Sequence, residues 1–389
     1  MRATKNLIGA ALRAAGLSSL AAALAFCSLQ AQPHRFRTPI RIPNPPGYLT
    51  LKCDFHMHTV FSDGRVWPDV RVEEAWREGL DAIALTDHVE YQPHKADVST
   101  NRNRAYLIAK PAGDQLGIIV IPGAEITRSM PPGHLNAIFI TDANALDQRD
   151  WRKAVETAVR QGGVVFWNHP GWTGQQPDGV ARWYPEHTEL LEKGLLTGIE
   201  VVNHRDMYPA VLRWALEKNL APLANSDIHP PVALDYDLPH GDRRPITLVF
   251  AKTRSAGAIK EALIARRTAA FDWHAIYGKA EWLRPIFQRS VSVINPQFAV
   301  PRKGSAYLQI RNDSDLDYTL KAAGPPPRGV RAPAELTLKA GKVVLCRIQT
   351  TGKLSRGVHQ LTLPYEATNL VVGPEKGLKV ELPVELRIR

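Results

Sequence analysis

Cysteine is nearly absent: the 389 residues hold three, Cys27, Cys53 and Cys346. So few exclude a disulfide framework, and a chain of this length can bury a core large enough to need none. Also missing, beyond the N-terminal region, is any apolar run of membrane-spanning length, so the mature chain is expected to be soluble. Repeats and low-complexity tracts are lacking too. Basic surplus is missing from the middle of the chain. The formal charge is +11, of which residues 1–31 contribute +3. Residues 291–389 hold 15 Lys and Arg against 8 Asp and Glu, leaving a surplus of only one over residues 32–290. With no basic track and no aromatic–basic interleaving, no stable nucleic-acid partner is expected. The C-terminal surplus suits contact with an anionic envelope surface or an ordinary solvated face.

What is present begins with a leader. Arg2, Lys5 and Arg13 are the only charges of residues 1–31, residues 14–29 are Ala- and Leu-rich, and Ala31 is followed by a Pro-rich stretch. This is the pattern of a cleaved secretory signal, and it predicts an exported, periplasmic or secreted protein. An uncleaved anchor is the alternative. A lipid anchor at Cys27 is disfavoured by bulky Phe26, where a small residue should stand.

From residue 51 to 251, short apolar runs alternate with amphipathic stretches. Strands are expected at 51–55, 82–85, 118–121, 137–140, 164–166, 198–202, 222–224 and 246–250, and helices at 70–78, 150–161, 209–218 and 256–267. Such alternation predicts a parallel α/β architecture, with a barrel favoured by what stands at the strand ends. After Arg289 the pattern changes to strands separated by turns, which predicts a small β-sandwich. The expected organisation is a signal peptide (1–31), a Pro-rich linker (32–50), a barrel (51–290) and a β-sandwich-like domain (291–389).

Nearly every strand expected in the barrel runs into a metal-ligating residue type. The first leads to Asp54-Phe55-His56-Met57-His58 and then Ser62-Asp63-Gly64, and the second to Thr86-Asp87-His88. Next come Gly123-Ala124-Glu125, Gly133-His134, Trp167-Asn168-His169, Glu200-Val201-Val202-Asn203-His204 and Asn225-Ser226-Asp227-Ile228-His229. Imidazoles with carboxylates suit divalent metals. A side-chain period of two puts His56 and His58 on one face, and likewise Asp227 and His229. Singly, each motif is weak; an Asp-His after a strand is more often a structural pair than a ligand. In order, and converging on one barrel rim, they point to a metal site. His94, His187, His240, His274 and His359 lack this context and read as surface or structural. His204 reads as supporting the ligands, and Asp54 and Asp87 as orienting imidazoles by accepting their free N–H. Cys53 reads as core.

The ordered set resembles the PHP (polymerase and histidinol phosphatase) family over roughly residues 50–290. The resemblance implies a distorted seven-stranded (β/α) barrel and usually three divalent metals of zinc, manganese or iron. Carried over by position, one metal takes His56, His58, Glu125 and Asp227. A second takes Glu125, His134 and His169, with Glu125 bridging, and a third takes Asp63, His88 and His229. No ligand is missing, which argues against an inactive relative.

The activity implied is hydrolysis of a phosphate mono- or diester by a hydroxide shared between metals. Asp227 is a candidate proton acceptor, with His229 as a second catalytic candidate. Arg128 and Arg205 follow strand-end motifs and could clamp phosphate oxygens, or equally be plain surface arginines. Two other readings stay open. One is an amidohydrolase-like enzyme acting on a carbon centre, against which Glu125 counts because such sites commonly use a modified lysine as the bridge. The other is a non-catalytic protein whose β-domain binds an envelope polymer.

Overall fold

The computed structural model describes residues 36–389, so the leader read at residues 1–31 lies outside the described residues. Residues Pro39–Arg389 pack as one unit. In chain order its first part holds β1 (Leu49–Asp54), β2 (Ala82–Leu85), β3 (Ile119–Ile126), β4 (Leu135–Ile138), β5 (Val164–Trp167) and β6 (Gly198–Asn203). There follow β7 (Asp206–Met207), β8 (Ala221–Asn225), β9 (Ile246–Ala251), β10 (Thr268–Phe271) and β11 (Ile276–Gly278). Strands β2, β4, β5, β6 and β8 are buried along their whole length, as the continuous apolar runs required.

The helices begin where the local chemistry starts them. Pro68 opens Pro68–Arg77, with Asp69 in its first turn and Arg77 in its last. Asp150 caps Trp151–Arg160 by accepting from the Arg152 amide, and Ser255 caps Ala256–Ile264 by accepting from Ala258. Four helices were not expected from the sequence: Arg104–Leu116, Pro185–Glu192, the short Val232–Asp235 and Ala280–Ser290.

The sheet is mixed, not wholly parallel as expected. β1, β2 and β3 are parallel neighbours, and so are β5, β6 and β8. Between these halves β4 pairs antiparallel with both β3 and β5. Only residues 127–134 separate β3 from β4, too few for the crossover that parallel neighbours need. Beyond the strand ends the barrel closes on itself. The amide of His58 donates to Ile228 O at 3.0 Å and the amide of Asp227 to His56 O at 2.8 Å. An apolar plug of Cys53, Phe55, Ile121, Phe166, Leu223 and Val249 fills the space below the rim.

The stretch expected as a linker is part of the packed unit. Ile40 and Ile42 are buried in the main core, and Thr50 bonds back to Pro43 O and Asn44.

The second part is a two-sheet β-structure. One sheet has the order β12 (Val291–Val293), β14 (Lys303–Asn312), β18 (Val343–Thr351), β16 (Val330–Arg331). The other joins β13 (Gln297–Val300), β20 (Lys376–Ile388), β19 (Gly357–Gly373), β15 (Tyr318–Ala322) and β17 (Glu335–Leu338). Residues 357–373 form the single long β19. Pro364 does not break it, because it lies just beyond where β15 stops pairing at Tyr365. β19 also pairs in parallel with β11 through Ile276–Leu370 and Tyr277–Val371, so one sheet runs from the barrel into the sandwich. Among the described residues no helix is long and apolar enough to cross a membrane.

Candidate metal centre

Glu125, at the C-terminal end of β3, is the centre of the site. Its Oε1 lies 3.0 Å from His134 Nδ1, 3.6 Å from His56 Nε2 and 3.7 Å from His169 Nε2. Its Oε2 lies 2.6 Å from His88 Nδ1 and 3.7 Å from His58 Nε2. One carboxylate thus faces five imidazoles contributed by four stretches of chain. Asp227 is the second hub: its Oδ1 lies 3.1 Å from His56 Nε2 and 3.0 Å from His58 Nε2. Asp63 Oδ1 lies 3.2 Å from His229 Nε2 and 3.5 Å from His88 Nε2. All nine residues expected as ligands therefore meet, and His56 and His58 do share a face.

Ligand atoms about 2 Å from a common ion stand roughly 3–4 Å apart, the spacing seen here. Four groups have atoms close enough to hold an ion: His58/Asp63/His88/His229, His56/His58/Glu125, His56/His169/Asp227 and His88/Glu125/His134. The set implied for a third metal is recovered with His58 added. The other two regroup, because Asp227 sits with His56 and His169 while Glu125 reaches His88 as well as His134. Divalent metals fit this pocket on a separate observation. His56 Nε2, His58 Nε2, Asp63 Oδ1, Glu125 Oε2 and His134 Nδ1 are all buried without a hydrogen-bond partner. So many orphaned polar atoms facing one another would be costly unless a cation satisfies them.

Supporting residues aim the ligands. His56 Nδ1 lies 2.9 Å from Glu200 Oε1, leaving Nε2 for the centre. Glu200 is fully engaged, also accepting from Asn225 Nδ2, Asn203 Nδ2 and the His169 amide. Asn168 Nδ2 donates to Glu125 Oε1 at 2.7 Å. His229 Nδ1 lies 2.8 Å from Asp227 O, which turns Nε2 toward Asp63. Two ligand positions, His169 (φ 28°) and Asp227 (φ 52°), hold the left-handed backbone that non-glycine residues seldom adopt. Glu200 stood in a strand-end motif, yet its role was not read from the sequence.

Several expectations are corrected. Asp54 does not hold an imidazole; it accepts from Ser226 Oγ and N and pairs with Arg244, which is also bound to Glu78. Asp87 accepts from Thr59 and from Ser62 Oγ at 2.6 Å, and it reaches His58 Nδ1 only through that hydroxyl. His204 supports no ligand: it lies 3.6 Å from Asp235 and beside Tyr236. Arg205 pairs with Asp242 and stacks on Tyr236, and Arg128 pairs with Glu90, so neither has a recorded partner in the cluster. His187 is structural and buried, stacked on Trp167 with centroids 3.6 Å apart. Cys53 is buried core.

The electrostatics follow from this crowding. Burial would raise the carboxyls of Glu125 and Asp227, but the surrounding imidazoles hold both well below the usual range. Burial, with His229 and His88 nearby, drives His58 down to about 3. Burial would also depress His88, but Glu125 and Asp63 outweigh it and raise it to about 10. The pocket is thus poised around ionised carboxylates.

Comparison with known proteins agrees with both parts of the fold. An Ig-like domain model matches residues 291–383. Over 82 residues the chain is 38% identical to an uncharacterized protein of Methanocaldococcus jannaschii, a match covering 21% of this chain and 36% of that one. The chain thus spans about a third of the length of this curated relative. A crystal structure from Bacteroides vulgatus, of a two-domain protein containing a predicted PHP-like metal-dependent phosphoesterase, superposes with TM-score 0.83. Its identity to this chain is 44%, over 90% of this chain and 99% of that one. With a mixed-sheet barrel, an Ig-like sandwich and this likeness along nearly its whole length, the chain belongs to the PHP-like family in its two-domain form.

Proposed function

We propose that this protein is an exported, metal-dependent phosphoesterase that hydrolyses a small phosphate mono- or diester. The observation that carries the reading is Glu125, a buried carboxylate that faces five imidazoles and belongs to two of the candidate ligand groups. That is the arrangement of a bridging ligand. His58, Asp63, His88 and His229 would hold one ion, and the remaining groups around Glu125 and Asp227 would hold the others, of zinc, manganese or iron. When bound, divalent ions supply Lewis acidity toward water and toward phosphoryl oxygens.

The chain's own residues do the rest. Glu200 fixes the tautomer of His56, and Asn168 fixes the rotamer of Glu125. Asp227 Oδ2 has Asn203 Nδ2 at 3.4 Å as its hydrogen-bond neighbour, which leaves it able to accept a proton from an attacking water. His229 is a third exposed at the rim, where Nε2 would hold its ion while Nδ1 stays bonded to Asp227 O. A carboxylate at the centre, where carbon-centred hydrolases of similar plan commonly place a modified lysine, supports phosphorus over carbon. The leader at residues 1–31 supports export, and the C-terminal basic surplus supports contact with an anionic envelope surface.

The test is metal analysis of the purified chain with a panel of phosphomonoesters, phosphodiesters and amides. Metal-dependent phosphate release should fall at least about 100-fold in His58→Ala and Asp227→Ala. Unchanged turnover in either variant, or hydrolysis of amides alone, would overturn the reading.

A further inference from the structure

Two large aromatic side chains stand exposed beside the metal centre, and nothing in the hydrolysis described above uses them. Trp172 is 43% exposed, with its ring centroid 5.2 Å from that of His169 and 5.7 Å from that of His134. Tyr91 is 52% exposed, 6.2 Å from His88. The rings of His88 and His134 are themselves 5.8 Å apart. The indole and the phenol therefore flank the side of the cluster formed by His88, Glu125 and His134.

The indole is held in place. The Trp172 amide donates to His169 O at 2.9 Å, and the Trp172 carbonyl accepts from the amides of Gln175 and Gln176. Gly174 lies against the ring so closely that a Cβ there would come within 2.5 Å of Trp172 Cζ2. Position 174 has to lack a side chain for the indole to lie where it does. Meanwhile most of the polar side-chain groups of this loop are spent on one another or on nearby backbone. Gln175 Nε2 donates to Arg128 O, Gln176 Nε2 to Tyr184 Oη, and Arg182 binds Gln176 and Asp178. What the loop presents beside the metal ligands is a π-face, not a row of hydrogen-bonding groups, and that favours a planar ring over a polyhydroxylated one.

The geometry points to Trp172 and Tyr91 as a binding subsite for an aromatic or heteroaromatic ring carried by the phosphoester. The inference rests on the phosphoesterase reading and names its substrate class. An aromatic pair contributes about two- to twelvefold in affinity beyond simple burial.

The experiment uses the metal-loaded full chain and two pairs of probes differing only in the ring. Phenethyl phosphate and cyclohexylethyl phosphate each release an unactivated primary alcohol of similar acidity, and the matching phosphonates cannot be hydrolysed. Phenethylphosphonate should bind about two- to twelvefold more tightly than its cyclohexyl partner, quenching fluorescence that Trp172→Phe removes. Trp172→Ala and Tyr91→Ala should each raise KM for phenethyl phosphate about fivefold with kcat within about twofold. Gly174→Ala, which retains Trp172 but displaces it, should do the same. Equal binding of the two phosphonates, or an unchanged KM in both alanine variants, overturns the inference. Turnover of both esters without ring preference leaves the phosphoesterase reading standing and removes only this subsite. Absence of both phosphonate binding and ester turnover removes both.

Discussion

The buried guanidinium of Arg71 donates from Nε to the carbonyl oxygen of His58 at 3.0 Å. Its Nη2 donates to the carbonyls of Ile228 and His229 at 3.1 and 2.7 Å, and its Nη1 to Pro230 O and Glu74. One side chain thus ties the segment after β1 to the segment after β8, the two that carry His56, His58, Asp227 and His229. Arg71→Met keeps much of the stem but leaves buried carbonyls without donors, at a cost of about 3 kcal/mol or more. The thermal midpoint and the metal bound per chain should both drop. A variant that melts like the parent and fills with metal normally would show that the tie is dispensable.

Glu200→Gln tests the support under His56. The amide keeps the shape but removes the charge that makes His56 a stronger ligand. Metal affinity, read by competition with a chelator, should weaken about 10- to 100-fold while the fold persists. Parental affinity would mean that Glu200 serves packing alone.

Loading the metal should expel a proton. Burial would depress His88, but Glu125 and Asp63 outweigh it and raise its pKa to about 10, so in the metal-free protein it is protonated at neutral pH. A divalent ion needs the imidazole lone pair, so binding at pH 7 should release about one proton from this residue. Calorimetry in two buffers of different ionisation enthalpy reads the number, and His88→Asn should lower it by about one. Identical heats in both buffers would count against the expectation.

His187 should make the protein acid-sensitive from a site outside the ligand set. Burial lowers its pKa from 6.5 to about 4. Its Nδ1 accepts from the Tyr184 amide and its Nε2 lies 2.7 Å from Pro132 O. A histidine whose folded pKa is depressed contributes stability that is present above its unfolded value and lost as pH falls through the folded one. The window is therefore pH 6.5 to about 4, and the loss reaches about 3 kcal/mol. Urea midpoints of the metal-free protein at pH 7 and pH 4.5 should differ less in His187→Gln than in the parent. Equal differences would place the acid sensitivity elsewhere.

Much of the candidate cluster was legible because its residues stand where buried apolar runs stop. Such runs mark strands, and strands of a barrel end at one rim. The regrouping of ligands around Glu125 and Asp227 was not legible, because it depends on which carboxylate oxygen faces which ring. Asp54 and Asp87 misled for a related reason: adjacency in sequence to His56 or His88 says nothing of which donor lies across the pocket. Helices Arg104–Leu116 and Ala280–Ser290 were hidden by Pro111 and Pro285, which tertiary packing tolerates. The reversal of β4 was legible in principle, from the short connection between Ile126 and Leu135.

The pairing of β11 with β19 makes the boundary near residue 290 a poor place to cut. Removing everything after Ser290 would strip the rail of backbone donors and acceptors on Ile276 and Tyr277 of its neighbour and leave an open edge available to other chains. A trimmed barrel should therefore self-associate, whereas the uncut polypeptide keeps that edge covered.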